Sequence, residues 1–172
     1  MRDFLEARLG PYRRRGLLLD SDLLLLYVVG QTDRNLVASF KRTRSFADDD
    51  FRLLVLLTAL FDSLVTTPHV LTEVNGLTNA LAGSYRVDVR ARLASEIAVL
   101  DERHTPAVGL ASTTAFKGLG LTDAALAFLA QPPDGPPVLS TDGALIQFIL
   151  NTGGAGDDFS TYQYAYSVGR AG

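Results

Sequence analysis

Residues 16–30 read GLLLDSDLLLLYVVG, and two acids inside that apolar run decide how the chain is read. A carboxylate beside a core segment costs free energy unless something pairs with it. GLLL at 16–19 has the composition of a short buried strand bounded by Gly16. Beyond Asp20, the segment 22–30 predicts a helix with an acid, Asp22, in its first turn, where the helix dipole favours negative charge.

Working outward, residues 1–10 predict a short amphipathic helix with Phe4, Leu5 and Leu9 on one side. DDDFRLLVLLTALFDSL at 48–64 predicts a helix with acids at its front and an apolar surface nearly all round, which suits a core helix or a subunit contact. In VTTPHVLTEVNGLTNAL, Thr67 suits a helix cap and Pro68 a first helical turn. The stretch 84–100 predicts an amphipathic helix with Tyr85, Val89, Leu93 and Leu100 near one face. LTDAALAFLA predicts a short helix capped by Thr122, and QPPDGPP at 131–137 a stiff surface loop. PVLS then reads as a second strand and DGALIQFILN as the helix after it. GGAG at 153–156 reads as a flexible link. In STYQYAYSV the alternation of Tyr162, Tyr164 and Tyr166 predicts an edge strand. Short strands interleaved with helices predict an α/β fold, a three-layer α/β/α sandwich around a central parallel sheet.

Composition narrows the class. The chain has 172 residues, 47% of them apolar and 20% charged, the balance of one globular domain with a real core. It has no cysteine, so disulfides and thiolate metal sites are excluded. The net charge of -3 argues against nonspecific polyanion binding by the whole surface. Arg13, Arg14 and Arg15 form one basic cluster, and Arg34, Lys41, Arg42 and Arg44 another. Asp20 and Asp22 interrupt the leucines after Arg15, which removes the signal-peptide pattern, and no apolar run approaches the ~20 residues of a membrane span. The expected location is cytoplasmic.

Four acids stand at or near element ends. Asp20 ends the first strand, Asp123 and Asp142 open helices, and Asp142 follows the strand PVLS directly. Ligands of open α/β sheets gather outside the carboxyl ends of the strands, so Asp20 and Asp142 could share that edge. Glu73 falls at the margin of the stripe formed by Val70, Val74, Leu77 and Leu81. Each acid also has a plain capping or surface role open to it. Four acids converging on one edge would repel unless a cation held them, and oxygen ligands favour Mg²⁺ or Mn²⁺. His69 and His104 make no zinc pattern and read as surface or hydrogen-bonded histidines.

LLLDSDLLL, PHVLTEVNGL, GLTDAALAFLA and PVLSTDGAL resemble, in order and spacing, the four acidic motifs of PIN-domain nucleases. The similarity runs from about residue 16 to 166, so the chain is expected to be a single PIN-like domain over 1–172 with 1–15 as an N-terminal extension. The resemblance implies that Asp20, Glu73, Asp123 and Asp142 form a catalytic, metal-binding cluster, with Ser140 supporting it and Ser21 and Asn75 as further candidates beside motif acids. It implies a Mg²⁺- or Mn²⁺-dependent endoribonuclease acting on RNA phosphodiester bonds, and in its toxin-like form an antitoxin protein as partner. The apolar helix at 51–61 offers a surface for such a partner or for a homodimer.

Two other readings compete. The same D-S-D resembles the first motif of haloacid-dehalogenase-type phosphatases, in which Asp20 would be the nucleophile and Asp22 a general acid. No acid follows Gly143 until Asp157, and Lys117 is the only lysine between Glu73 and Asp123, so the later motifs of that family are missing. The third reading is a PIN-like domain kept for binding without catalysis.

Overall fold

The computed structural model describes residues 2–171, and the side chains of residues 4–169. Helix α1 (Arg2–Leu9) and a 3₁₀ segment (Gly10–Arg15) lead into β1 (Leu17–Leu19). Helices α2 (Ser21–Thr32), α3 (Arg34–Ser39) and α4 (Asp48–Thr58) follow, then β2 (Leu64–Thr66), α5 (Pro68–Leu77), α6 (Gly83–Ile97) and β3 (Asp101–Glu102). After α7 (Ala107–Leu110), α8 (Thr114–Leu119) and α9 (Leu121–Leu129) come β4 (Val138–Ser140), α10 (Gly143–Asn151), β5 (Gly156–Asp158) and α11 (Phe159–Ala171).

The five strands form one sheet in the order β3-β2-β1-β4-β5, and every pairing is parallel. The chain is therefore α/β, and its many helices around an all-parallel sheet are compatible with a three-layer sandwich. β1 lies in the middle, with Leu18 opposite Val65 on one side and Val138 on the other. Gly16 makes the entry to β1 possible. Its φ is +80°, and a side chain there would run into Val65 and Ser63, so only glycine fits without strain.

Helix α2 explains why LLLLYVV carries so little polarity. Leu23, Leu24, Leu25, Leu26, Val28 and Val29 are all buried, because α2 packs against α3, α4, α5 and α6. Each such side chain contributes roughly 1.5–3 kcal/mol by leaving water. The N-terminal segment joins this core: Leu5 and Leu9 are buried, and Phe4 stands edge-on to Tyr162. Arg8 pairs with Asp157, whose other oxygen accepts the Tyr162 hydroxyl at 2.6 Å.

The expected α5 start is observed, with Thr67 accepting the Val70 N–H at 3.2 Å and Pro68 at the first helical position. In α6, Val89 and Leu93 are buried while Tyr85 stays exposed.

Several expectations are corrected. The helix from residue 48 ends at Thr58 and not at 64, and Leu64–Thr66 is a strand. Most of its apolar surface is core: Phe51, Leu53, Leu54 and Leu57 are buried, and Leu56 is 48% exposed. STYQYAYSV lies in helix α11 and not in an edge strand. Phe159, Tyr162 and Tyr166 recur at helical spacing; the first two are fully buried, Tyr166 packs at the core margin, and Tyr164 turns to solvent. The edge strand is instead β5, formed by the end of the expected flexible link and the two aspartates after it. Thr122 does not cap α9; Gly120, with φ of 99°, stands at that cap without a side-chain hydrogen bond.

Candidate functional site

The strand order places a switch point between β1 and β4. From β1 the chain builds outward through β2 to β3, and then returns to the other side to lay down β4 and β5. Connections leave that point in opposite directions, so a crevice opens at the carboxyl ends of β1 and β4. Asp20 follows the last residue of β1, and Ser140 is the last residue of β4.

Asp20 is 8% exposed, and its two oxygens are fully engaged. Oδ1 accepts the Leu23 N–H at 2.8 Å, which caps α2. Oδ2 accepts the Ser140 hydroxyl and, at 3.2 Å, the Thr141 N–H. The capping role and the sheet-edge role are thus filled by one side chain. Burial pushes the Asp20 carboxyl up to about 6; the Ser140 hydrogen bond and the Leu23 N–H oppose that, while Asp22 adds to it. Ser140 in turn accepts the Asp142 N–H at 2.8 Å. Asp142 caps α10, its Oδ1 taking the N–H groups of Ala144 at 2.7 Å and Leu145 at 3.3 Å.

Helices α5 and α9 bring the other two acids. Glu73 is exposed, and its Oε2 accepts the hydroxyl of Ser21, the residue after Asp20, at 2.9 Å. Asp123 is half-buried in the first turn of α9. Its carboxyl is pushed up to about 6, first by burial and then by Asp142, Asp20, Glu73 and Asp22. A charge repelled by four acids from three other segments lies among them. The structure therefore draws Asp20, Glu73, Asp123 and Asp142 to one edge of the sheet.

A fifth acid belongs to this neighbourhood. Asp22 is raised by burial and by Glu73, with Arg42 opposing. From sequence, Asp22 reads only as a first-turn acid or a phosphatase residue. Its spacing of two from Asp20 carries it to the same helix end, a signal that was readable. Asn75 is exposed, and only its backbone carbonyl is engaged, by the Thr78 hydroxyl at 2.7 Å.

An open groove of about 480 Å³ is lined by His69, Thr72, Glu73, Thr122 and Asp123 among others. His69 is hydrogen-bonded, as expected, to the Thr105 carbonyl, and it lines the same groove as two of the acids.

The donor chemistry suits a hard cation. Both oxygens of Asp123, Oε1 of Glu73 and Oδ2 of Asp142 take no hydrogen bond from any described residue. Among the described residues, however, no three histidine, aspartate or glutamate side chains already stand together as a metal-holding group. In charge and oxygen content these residues would suit a divalent ion. Among the described residues, no helix is long and apolar enough to cross a membrane.

Comparison with protein-family models, with curated proteins and with solved structures found no match for this chain.

Proposed function

We propose that the chain is a PIN-type ribonuclease, hydrolysing RNA phosphodiester bonds with the help of Mg²⁺ or Mn²⁺. One observation carries the reading: acids from four distant segments gather at the switch point, and Asp123 is repelled by all the others. Such an accumulation is costly alone, and a hard dication offsets it.

Glu73, Asp123 and Asp142 would hold the ion through their unengaged oxygens, and Asp20, whose oxygens are hydrogen-bonded, would add its charge beside it. When bound, it would supply positive charge to the phosphate oxygens and a more acidic water. The chain's own residues do the rest of the positioning. Ser140 fixes the buried Asp20 and the start of the Asp142 turn in one hydrogen-bonded unit. Ser21 holds Glu73 toward the same edge. The open groove along Glu73 and Asp123 gives an extended strand access without burial.

The phosphatase reading gains nothing from this geometry. A nucleophilic Asp20 needs an oxygen free to reach phosphorus, and both of its oxygens are buried and hydrogen-bonded.

The test incubates purified protein and an Asp123→Asn variant with mixed RNA and Mn²⁺. Wild type should cleave, chelation should abolish cleavage, and the variant should lose about 10²-fold or more, the order of one transition-state electrostatic contact. Equal cleavage by both proteins, or none by wild type across several RNAs, would contradict the proposal.

A further inference from the structure

Carboxylates that hold a cation cannot also protonate a departing alkoxide, and hydrolysis of RNA needs that proton. Of the titratable groups lining the groove, Glu73 and Asp123 are assigned to the ion, which leaves His69. It stands one turn before Glu73 on α5, at the i, i+4 spacing that puts two side chains on one helix face.

The surroundings of His69 settle its hydrogen-bonding sense. Its Nε2 lies 3.0 Å from the carbonyl oxygen of Thr105, and a carbonyl only accepts. Nε2 therefore carries hydrogen in the neutral ring as well as in the cation. Nδ1 makes no hydrogen bond to any described residue. A backbone carbonyl thus fixes the tautomer and the ring, and the second nitrogen is left for chemistry.

Resting on the ribonuclease reading above, we propose that His69 is the proton donor to the departing oxygen. In the step, water oxygen forms a bond to phosphorus as the phosphorus–oxygen bond to the leaving nucleoside breaks. The electron pair of that bond goes to the leaving oxygen, which takes the Nδ1 proton of the His69 imidazolium. The attacking water gives up a proton to solvent, and the neutral imidazole regains its own from solvent. His69 ends each cycle as it began.

The experiment has two arms. In the first, RNA cleavage by wild type, His69→Gln and His69→Ala is compared with cleavage of a strand carrying one sulfur in place of the departing oxygen, located from the product ends. A thiolate leaves with little need of a proton. The variants should lose about 10²- to 10⁴-fold on RNA, the usual range for a general acid, and less than about tenfold on the sulfur strand. Equal losses on both strands, or no loss on RNA, would overturn the proposal. Wild type inert toward both strands would sink the ribonuclease reading itself, and this inference with it. The second arm needs no activity and no variant that folds: ¹⁵N spectra of histidine-labelled wild type should show one imidazole in the Nε2–H tautomer when neutral. Both histidines with hydrogen on Nδ1 instead would overturn it.

Discussion

The hydroxyl of Ser140, at the end of β4, donates to the carboxylate of Asp20, just beyond β1, across 120 residues of sequence. The same oxygen accepts the Asp142 N–H. One small side chain thus ties the two central strands together at their carboxyl ends and orients an acid on each.

Removing that hydroxyl should be expensive for its size. Ser140→Ala leaves a buried carboxylate oxygen with one donor fewer and the Asp142 N–H without its acceptor. An unsatisfied buried group costs about 1–3 kcal/mol, so urea unfolding should show a loss of that order. The Ser140 bond also favours the charged form of Asp20, so the Asp20 carboxyl should titrate higher in the variant, as read by carboxyl carbon NMR. An unchanged titration would mean that the bond does not act as described.

Asp123 should make the protein less stable as pH rises. Its ordinary value is 3.8 and burial among like charges lifts it to about 6 in the folded protein. The native state then binds the proton more tightly than the unfolded chain. The stability it contributes is complete below about pH 4 and is lost as pH climbs through 6. In chelator, the Asp123→Asn variant should match wild type near pH 4.5 and exceed it at pH 7.5. The gain is on the order of 1 kcal/mol once solvent screening of a part-exposed group is allowed for. Urea unfolding across that range checks it; a variant less stable at pH 7.5 would contradict the crowding of charge.

Gly30→Ala probes the packing of α2 against α4. A methyl group there would fall inside the contact radius of the Phe51 ring, where α2 meets α4. Alanine would otherwise favour the helix by about 1 kcal/mol, so overpacking must exceed that gain. We expect a net loss of about 1–3 kcal/mol in thermal or urea unfolding, with full recovery in a Gly30→Ala, Phe51→Leu double variant.

Much of the central frame was legible. The two strands that form the crevice are short apolar stretches with clear boundaries, β1 between Gly16 and Asp20 and β4 between Pro137 and Thr141, and composition marks such runs well. The rest of the sheet was not. β2 continues an apolar stretch with no proline or glycine between Asp48 and Ser63, so nothing in the pattern ends the helix at Thr58. β5 is Gly-Asp-Asp, a strand by pairing alone, with no side chain that favours one. In α11 the tyrosines at 162, 164 and 166 fit a period of two, and only Phe159 with Tyr162 and Tyr166 discloses the helical face. Among the site residues, the strand-end acids announced themselves by position. His69 is hydrogen-bonded as expected, but its place on the groove is not legible, because its partner is a backbone carbonyl, which leaves no trace in sequence.

A titration of Mn²⁺ followed by electron paramagnetic resonance bears most directly on the acidic edge as a cation site. Wild type should quench the free-ion signal with saturable, stoichiometric binding, and Asp123→Asn should weaken that binding at least about tenfold, since one charged oxygen contact is worth more than about 1.4 kcal/mol. Identical binding by the two proteins, or no binding by wild type, would contradict the account.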